Sequence, residues 1–421
     1  MKKFWRLILS GIMMASLAGC SADSESGDVV ELEFMQWWST EDGGDSVTSL
    51  ISEFEAAHPD IKIKLVTLPF GEVRTQAIAS RVSKSLPDVI AMNPPWAREF
   101  YDLNMIAPLD DLMAADPTFD KSAFMPTSLT PIDGHTYLLP VTTSAFYLYY
   151  NDTMFANAGL ELPKTWADIT SAAKALTDPS KNEYGFTLTL AEQEASNGSI
   201  LSIYPLLYAL NGRTFVDGKF TVETPEMYQV FSLLQQLLDD GSLLPGTTSR
   251  SEFQNMELFS VGNVGMMISP DLHMMTITDR NPDLDFGLMP LPTFDGTGQP
   301  ELRHHGWDIA ISSTSEHKEE AWKFISFLTS KENNEKLCDA LLKMPSRYDS
   351  EITWTDQFPQ DLITLDSLNN LNMVEELMLM PNSSACWVAL TKAGAAVIQG
   401  SMSVEEALAS VQTTWNATLN Q

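Results

Sequence analysis

The sequence predicts an α/β protein built as two domains. Three observations carry that prediction: strands and helices alternate over residues 30–92, the middle of the chain is patterned for helices, and about 400 residues exceed the usual reach of one hydrophobic core. Val30, Leu32 and Phe34 alternate with polar neighbours, as a strand does. Val47, Leu50, Ile51 and Phe54 then recur at helical spacing and stop before His58 and Pro59. Ile61, Ile63 and Leu65 form a second strand, Val73, Ala77, Ile78 and Val82 a second helical face, and Val89 to Met92 an apolar third strand. Such β-α-β-α-β order with short connections is the mark of a parallel sheet covered on both faces.

Further along, Thr165 and Asp168 predict a capping box at a helix start. Thr224-Pro225-Glu226 opens another helix, with Met227, Val230, Phe231, Leu234 and Leu238 as its apolar face. Later helices follow Ser315 and the Ser403/Glu406 pair. Pro94 and Pro95 are expected to end the third strand without continuing as strand or helix.

The N-terminus addresses the chain to the cell exterior. Lys2, Lys3 and Arg6 precede an apolar run that ends in Leu17-Ala18-Gly19-Cys20, too short to span a membrane and shaped as a lipoprotein signal. Residues 1–19 are read as the signal peptide and Cys20 as the lipidated first mature residue, followed by a polar tether to residue 29 that cannot bury a core. Two acylated positions on that cysteine supply the two lipid signals that stable anchoring needs. The expected location is outside the cytoplasmic membrane, attached by lipid alone.

Charge narrows the partners. The chain has 25 basic and 56 acidic side chains, a formal charge of −31, and cleavage of the signal removes three of the basic ones. So acidic a surface repels nucleic acid and anionic lipid, and without a basic cluster it disfavours phosphorylated ligands. Of three cysteines, Cys20 is assigned to lipid. Cys338 and Cys386 could form one disulfide, but Cys338 lies in a helical pattern, and two buried thiols are the expectation.

No phosphate loop, HExxH, GxSxG or CxxC signature is present. His304 and His305 are adjacent on a strand and so face opposite ways, which argues against a joint metal site. No metal and no cofactor are expected.

Four segments together resemble the family 1 extracellular solute-binding proteins of ABC importers, the group that contains maltose-binding protein. They are Leu148–Ile169 (LYYNDTMFANAGLELPKTWADI), Leu258–Ile268 (LFSVGNVGMMI), Gly306–Ser330 (GWDIAISSTSEHKEEAWKFISFLTS) and Met380–Gln412, which follows the C-terminal segment of that group. The resemblance implies a two-lobed periplasmic-binding-protein fold, with three hinge crossings near residues 142–147, 286–300 and 338–347 and a ligand cleft between the lobes. It implies an N-terminal lobe of residues 30–143 and 286–338, and a C-terminal lobe of 144–285 and 339–421. Trp166 and Trp322 are read as core residues.

The same resemblance directs attention to residues that suit sugars, whose flat C–H faces stack on aromatic rings and whose hydroxyls pair with carboxylates and amides. Trp37 and Trp38 follow the first strand at its carboxyl end, where ligands of parallel sheets bind, one ring facing the cleft and the other packing. Glu41, Asp42 and Asp45 open the next loop and helix, either as caps or as hydroxyl acceptors. Asn93 and Trp96 end the third strand. Ser144 and Tyr147 fall at the first crossing, and Ser144 stands where maltose-binding protein has an acid. Asp271 and His273 follow the strand ending at Ile268, and Trp307 and Asp308 come from the third segment. Trp387 aligns with a sugar-stacking tryptophan of the group.

The function implied is a non-enzymatic, monomeric receptor that captures a sugar or oligosaccharide and delivers it to ABC permease subunits. A polyamine or other small solute would suit acids beside tryptophans as well. A lipid-anchored glycan-active enzyme and a sensory lipoprotein are the remaining readings.

Overall fold

The computed structural model describes residues 29–419, apart from 42–43, 126–128, 192–197 and 357. The signal, Cys20 and Asp42 lie outside the described residues, as do the side chains of residues 40 and 41. The strands are β1 (Val30–Gln36), β2 (Ile61–Thr67), β3 (Val89–Met92), β4 (Leu139–Asn151), β5 (Tyr184–Thr187), β6 (Phe215–Val216), β7 (Lys219–Phe220), β8 (Val264–Pro270), β9 (Phe286–Met289), β10 (Leu302–Ile311) and β11 (Met373–Val374). β6 and β7 form a separate hairpin. The others join in the order β2-β1-β3-β10-β4-β8-β5, with β11 beside β10 and β9 beside β4.

The first three strands pair in parallel, as the alternating pattern requires, with Phe34 of β1 opposite both Leu65 and Val89. Helices Gly44–Ala57 and Phe70–Ser83 cover them, burying Val47, Leu50, Ile51 and Phe54 from one and Val73 and Ala77 from the other. The Thr165/Asp168 capping box forms in full, and Thr224 caps helix Pro225–Asp239. In that helix Leu237 is buried where Leu238 was expected, a shift of one position within the same face. The helix after Ser315 begins at Lys318, and the Ser315 hydroxyl donates to Asp88 Oδ1 at 2.6 Å while accepting from His317 N at 3.1 Å. Pro94 and Pro95 do continue as helix: Pro94–Trp96 makes a 3₁₀ turn that runs into helix Ala97–Asp102, since first-turn positions need no N–H donor.

Two long strands connect the halves of the sheet. β4 pairs with β10 through Leu139–Ala145 and then with β8 and β9 through Phe146–Asn151. β10 pairs with β11 at Leu302 and Arg303 and with β3 at Asp308–Ile311. A third connection follows helix Lys331–Leu341, where Met344 accepts from Thr143 N (2.8 Å) and Ser346 donates to Pro140 O (2.9 Å). Residues 286–300 pack on the second half of the sheet, with Pro292 O taking the Trp166 indole N–H at 2.9 Å, so the passage expected there occurs in β10 instead. The physical reason is β9: its hydrogen bonds to Leu148–Asn151 hold this stretch on the far side.

Three apolar cores result. One fills the half containing β1–β3. In the other half, alternation along β4 divides the packing: Phe146 and Leu148 face helices Pro225–Asp239 and Ser383–Ile398, while Ala145, Tyr147 and Tyr149 face a third core with Phe259, Trp354 and Phe358. Trp166 and Trp322 are both buried, as read from sequence. Cys338 and Cys386 are free thiols in different cores.

Candidate functional site

Four tryptophans converge where β1, β3 and β10 lie side by side. Trp37 and Trp38 leave the end of β1, Trp96 comes from the turn after β3, and Trp307 from β10. Trp37 meets Trp96 and Trp307 edge-on at 5.8 and 5.7 Å, and Trp38 stacks on Trp307. Phe70 continues the cluster by stacking on Trp96 at 5.3 Å. Trp37 and Trp38 are both fully buried, so neither ring faces open solvent. Instead the rings occupy one another's faces, and no sugar-sized gap separates them.

Polar atoms are trapped alongside these rings. Asp308 is completely buried and neither carboxylate oxygen has a hydrogen-bond partner among the described residues. The same holds for Asn93 Oδ1 and Trp38 Nε1. Burial pushes the Asp308 carboxyl well above its ordinary range, with Glu375 adding to the effect. Buried polar groups without hydrogen-bond partners are rare in folded proteins.

At the junction of the two sheet halves, Ser144 and Asp271 come together. The Ser144 hydroxyl donates to Asp271 Oδ1, which also accepts from Ala145 N (3.3 Å) and Leu272 N (3.1 Å). Burial nevertheless raises the Asp271 carboxyl to about 6. Asp361 is raised to about 7 by burial and by Asp271, while accepting the Trp354 indole N–H at 2.6 Å. His273 Nδ1 lies 2.7 Å from Ser269 Oγ, and burial, helped by Lys343, pulls its imidazole down to about 3. Tyr147 is buried in the third core. Asp271, Trp307, Lys343 and Asp361 line a small cavity with room for about one water.

Trp387, on helix Ser383–Ile398, is buried in the second core, whereas the four clustered tryptophans belong to the first, and its indole N–H is without a hydrogen-bond partner among the described residues. The side chain of Glu41 lies outside the described residues. The fold thus groups Trp37, Trp38, Trp96 and Trp307, and pairs Ser144 with Asp271, the two groups meeting at the small cavity that Trp307 and Asp271 both line. Sequence reading passed over Lys343, whose ammonium sits 4.6 Å from the centre of the Trp307 ring, and the buried Arg303 and Glu375. The signal was there: each charge interrupts an otherwise apolar or strand-patterned run.

The turn Leu377–Leu379 packs against Pro94–Trp96 and Ala97–Asp102, with Met378 in the first core and Leu377 in the second. The two halves of the molecule therefore touch across the cluster, as lobes do in a closed state.

The model of the bacterial extracellular solute-binding protein family matches residues 37–335, more than half of the chain. The chain belongs to that family. A putative binding protein of Brucella abortus (strain 2308) is 28% identical over 330 residues, covering 77% of each chain. An arabinooligosaccharide-binding protein of Halalkalibacterium halodurans is 27% identical over 319 residues, covering 72% of this chain and 68% of that one. Among solved structures, an ABC substrate-binding protein from Listeria monocytogenes in complex with cycloalternan superposes with a TM-score of 0.78 at 22% identity, covering 93% of this chain and all of that one. The fold is accordingly the two-lobed one of periplasmic binding proteins. As an extracellular solute-binding protein it works outside the cytoplasm, and its relatives are binders rather than enzymes.

Proposed function

We propose that this solute-binding protein captures a neutral sugar or oligosaccharide and hands it to the permease of an ABC importer without chemically changing it. The observation that carries the proposal is the four-tryptophan cluster, beside which the Asp308 carboxylate, Asn93 Oδ1 and the Trp38 indole N–H are buried without hydrogen-bond partners among the described residues. Aromatic faces suit the C–H faces of a pyranose or furanose, and the polar atoms suit its hydroxyls; contacts of a hydroxyl with a charged group are worth ~1.5–3 kcal/mol each. Relatives with a stated ligand include arabinooligosaccharide-binding and multiple sugar-binding proteins, which support the sugar reading, beside an sn-glycerol-3-phosphate-binding one. Ligand contacts from both lobes would favour closure, because a ligand shifts an equilibrium only by its differential affinity.

In this reading the N-terminal lobe comprises residues 30–143 with the second half of β10 and helices 318–341, and the C-terminal lobe the remainder. The site includes Trp37, Trp38, Asn93, Trp96, Trp307 and Asp308, with Ser144 and Asp271 at the hinge. The protein acts as a monomer tethered by lipid on Cys20.

The test is intrinsic tryptophan fluorescence of the mature chain, with Cys20 replaced by Ser, titrated with neutral mono- and oligosaccharides and with spermidine. A saturable change at micromolar sugar, about −8 kcal/mol of binding, is expected. A response to spermidine alone would turn the reading to polyamines, and turnover of a sugar would turn it to an enzyme. Cell fractionation checks the anchor: the unaltered protein should follow membranes and Cys20→Ser should be released.

A further inference from the structure

The crossing strand β10 carries a second set of buried groups that the four-tryptophan cluster does not use. Arg303 is 1% exposed, and its Nε and Nη1 have no hydrogen-bond partner among the described residues. The guanidinium lies over the Phe146 ring, 4.7 Å from its centre. The parallel pairing of Arg303 with Val374 brings Glu375 alongside, immediately after β11. Both Glu375 oxygens likewise have no hydrogen-bond partner among the described residues, and neither has the Tyr208 hydroxyl.

The next residue shows that this is no general feature of the segment. Glu376 Oε1 takes the Thr214 N–H (2.8 Å) and the Thr214 hydroxyl (2.7 Å), and Oε2 takes the Phe215 N–H (3.2 Å). One glutamate of the pair is thus fully employed inside the protein while its neighbour is held ready. Arg303 and Glu375 attract one another, yet no ion pair within 4 Å joins them among the described residues, and the His304 ring nitrogen stands 3.7 Å from Glu375. A buried, opposed pair that neither touches nor is hydrogen-bonded is costly unless something bridges it.

We propose that Arg303 and Glu375 form a bipolar subsite of the same cleft that binds two neighbouring hydroxyl groups of a neutral sugar unit. This rests on the sugar-receptor reading above and names what the ligand must offer. Each hydroxyl both donates and accepts, so a vicinal diol can accept from the guanidinium and donate to the carboxylate at once. Tyr208 is placed to contribute a third contact. The opposed charges also discriminate: a uronate drawn to Arg303 is set beside Glu375, and a polyammonium drawn to Glu375 is set beside Arg303, so each gains an attraction only together with a repulsion. The subsite therefore selects neutral, diol-bearing units over charged ones.

The experiment uses the mature chain with Cys20 replaced by Ser. Calorimetric titrations employ arabinotriose, maltotriose and D-mannitol as neutral probes, and trigalacturonate and spermidine as charged ones. Wild type should bind at least one neutral probe and neither charged one. Glu375→Gln, Arg303→Lys and Tyr208→Phe should weaken the neutral probe, the first two by tenfold or more, while the unliganded melting temperature stays level or rises. Glu375→Gln keeps shape and decides the matter alone should the arginine variant fail to fold. Full affinity in Glu375→Gln would overturn the subsite and leave the sugar reading intact. Wild type that binds only spermidine or trigalacturonate, or no neutral probe, would overturn both.

Discussion

The indole planes of Trp38 and Trp307 lie 3° apart, with ring centres 5.9 Å from one another. One ring belongs to the turn leaving β1 and the other to β10, so the stack joins the first strand of the chain to a strand that crosses between lobes. Stacked rings at this separation leave no space for a sugar between them. Binding at this face requires the rings to part.

A fluorescence change on binding is therefore expected to originate here. Trp307→Ala should lower affinity for the captured sugar by tenfold or more and remove most of the emission change, while Trp307→Phe should keep part of both. Titration of the two variants beside wild type checks this, and unaltered affinity in Trp307→Ala would take the ring out of the site.

Trp387 presents a different balance. It is buried in the C-terminal core, so Trp387→Ala should cost stability of about 3–5 kcal/mol and lower the melting temperature by about 10 °C, whatever it does to binding. Trp387→Phe retains most of the volume and isolates the ligand contribution. If that variant binds as wild type does, Trp387 is a packing residue only.

Opposing pH dependences should be separable at the hinge. Asp271 and Asp361 are raised to about 6 and about 7, above the unfolded carboxyl range, so they disfavour the folded state increasingly as pH rises from about 4 to about 7. His273 is depressed to about 3, so its contribution is present above its unfolded value near 6.5 and is lost as pH falls toward 3. Melting curves of Asp361→Asn should lose the decline toward pH 7, and those of His273→Gln should lose the decline toward acid. A wild-type pH profile retained in both would refute the assignment.

Both thiols should be inert in the folded protein. Burial pushes Cys338 and Cys386 above the ordinary thiol range, the latter to about 12. Reaction with a thiol reagent should be slow in buffer and should titrate the two thiols rapidly in denaturant, with no effect of prior reduction. Fewer thiols in denaturant would reveal a disulfide.

The Thr165/Asp168 box offers a control remote from the site. Thr165→Ala should cost about 1 kcal/mol, read by denaturant unfolding, and leave ligand affinity unchanged.

Much of the architecture was legible before folding, because it is written in local periods. Alternation at Val30–Phe34 and Ile61–Leu65, the helical spacing of Val47–Phe54, and the caps at Thr165, Thr224 and Ser403 all concern residues within a few positions of one another. Placement of tryptophans at the carboxyl ends of β1 and β3 follows from the same patterns. The acidic charge balance is also a property of the chain as written.

What tertiary structure decided is which partners those residues meet. β10 draws together β3, β4 and β11 from distant parts of the chain, and no local period announces that pairing or the shift of the second crossing into β10. Whether Trp37 and Trp38 face solvent or one another depended on Trp96 and Trp307 arriving from two other strands. The contrast between Glu375 and Glu376 depended on Thr214 reaching only one of them. Adjacent glutamates are alike in sequence, but burial and hydrogen bonding are set by neighbours from elsewhere in the chain, and those neighbours determine which charge is satisfied within the fold and which is left to meet a ligand.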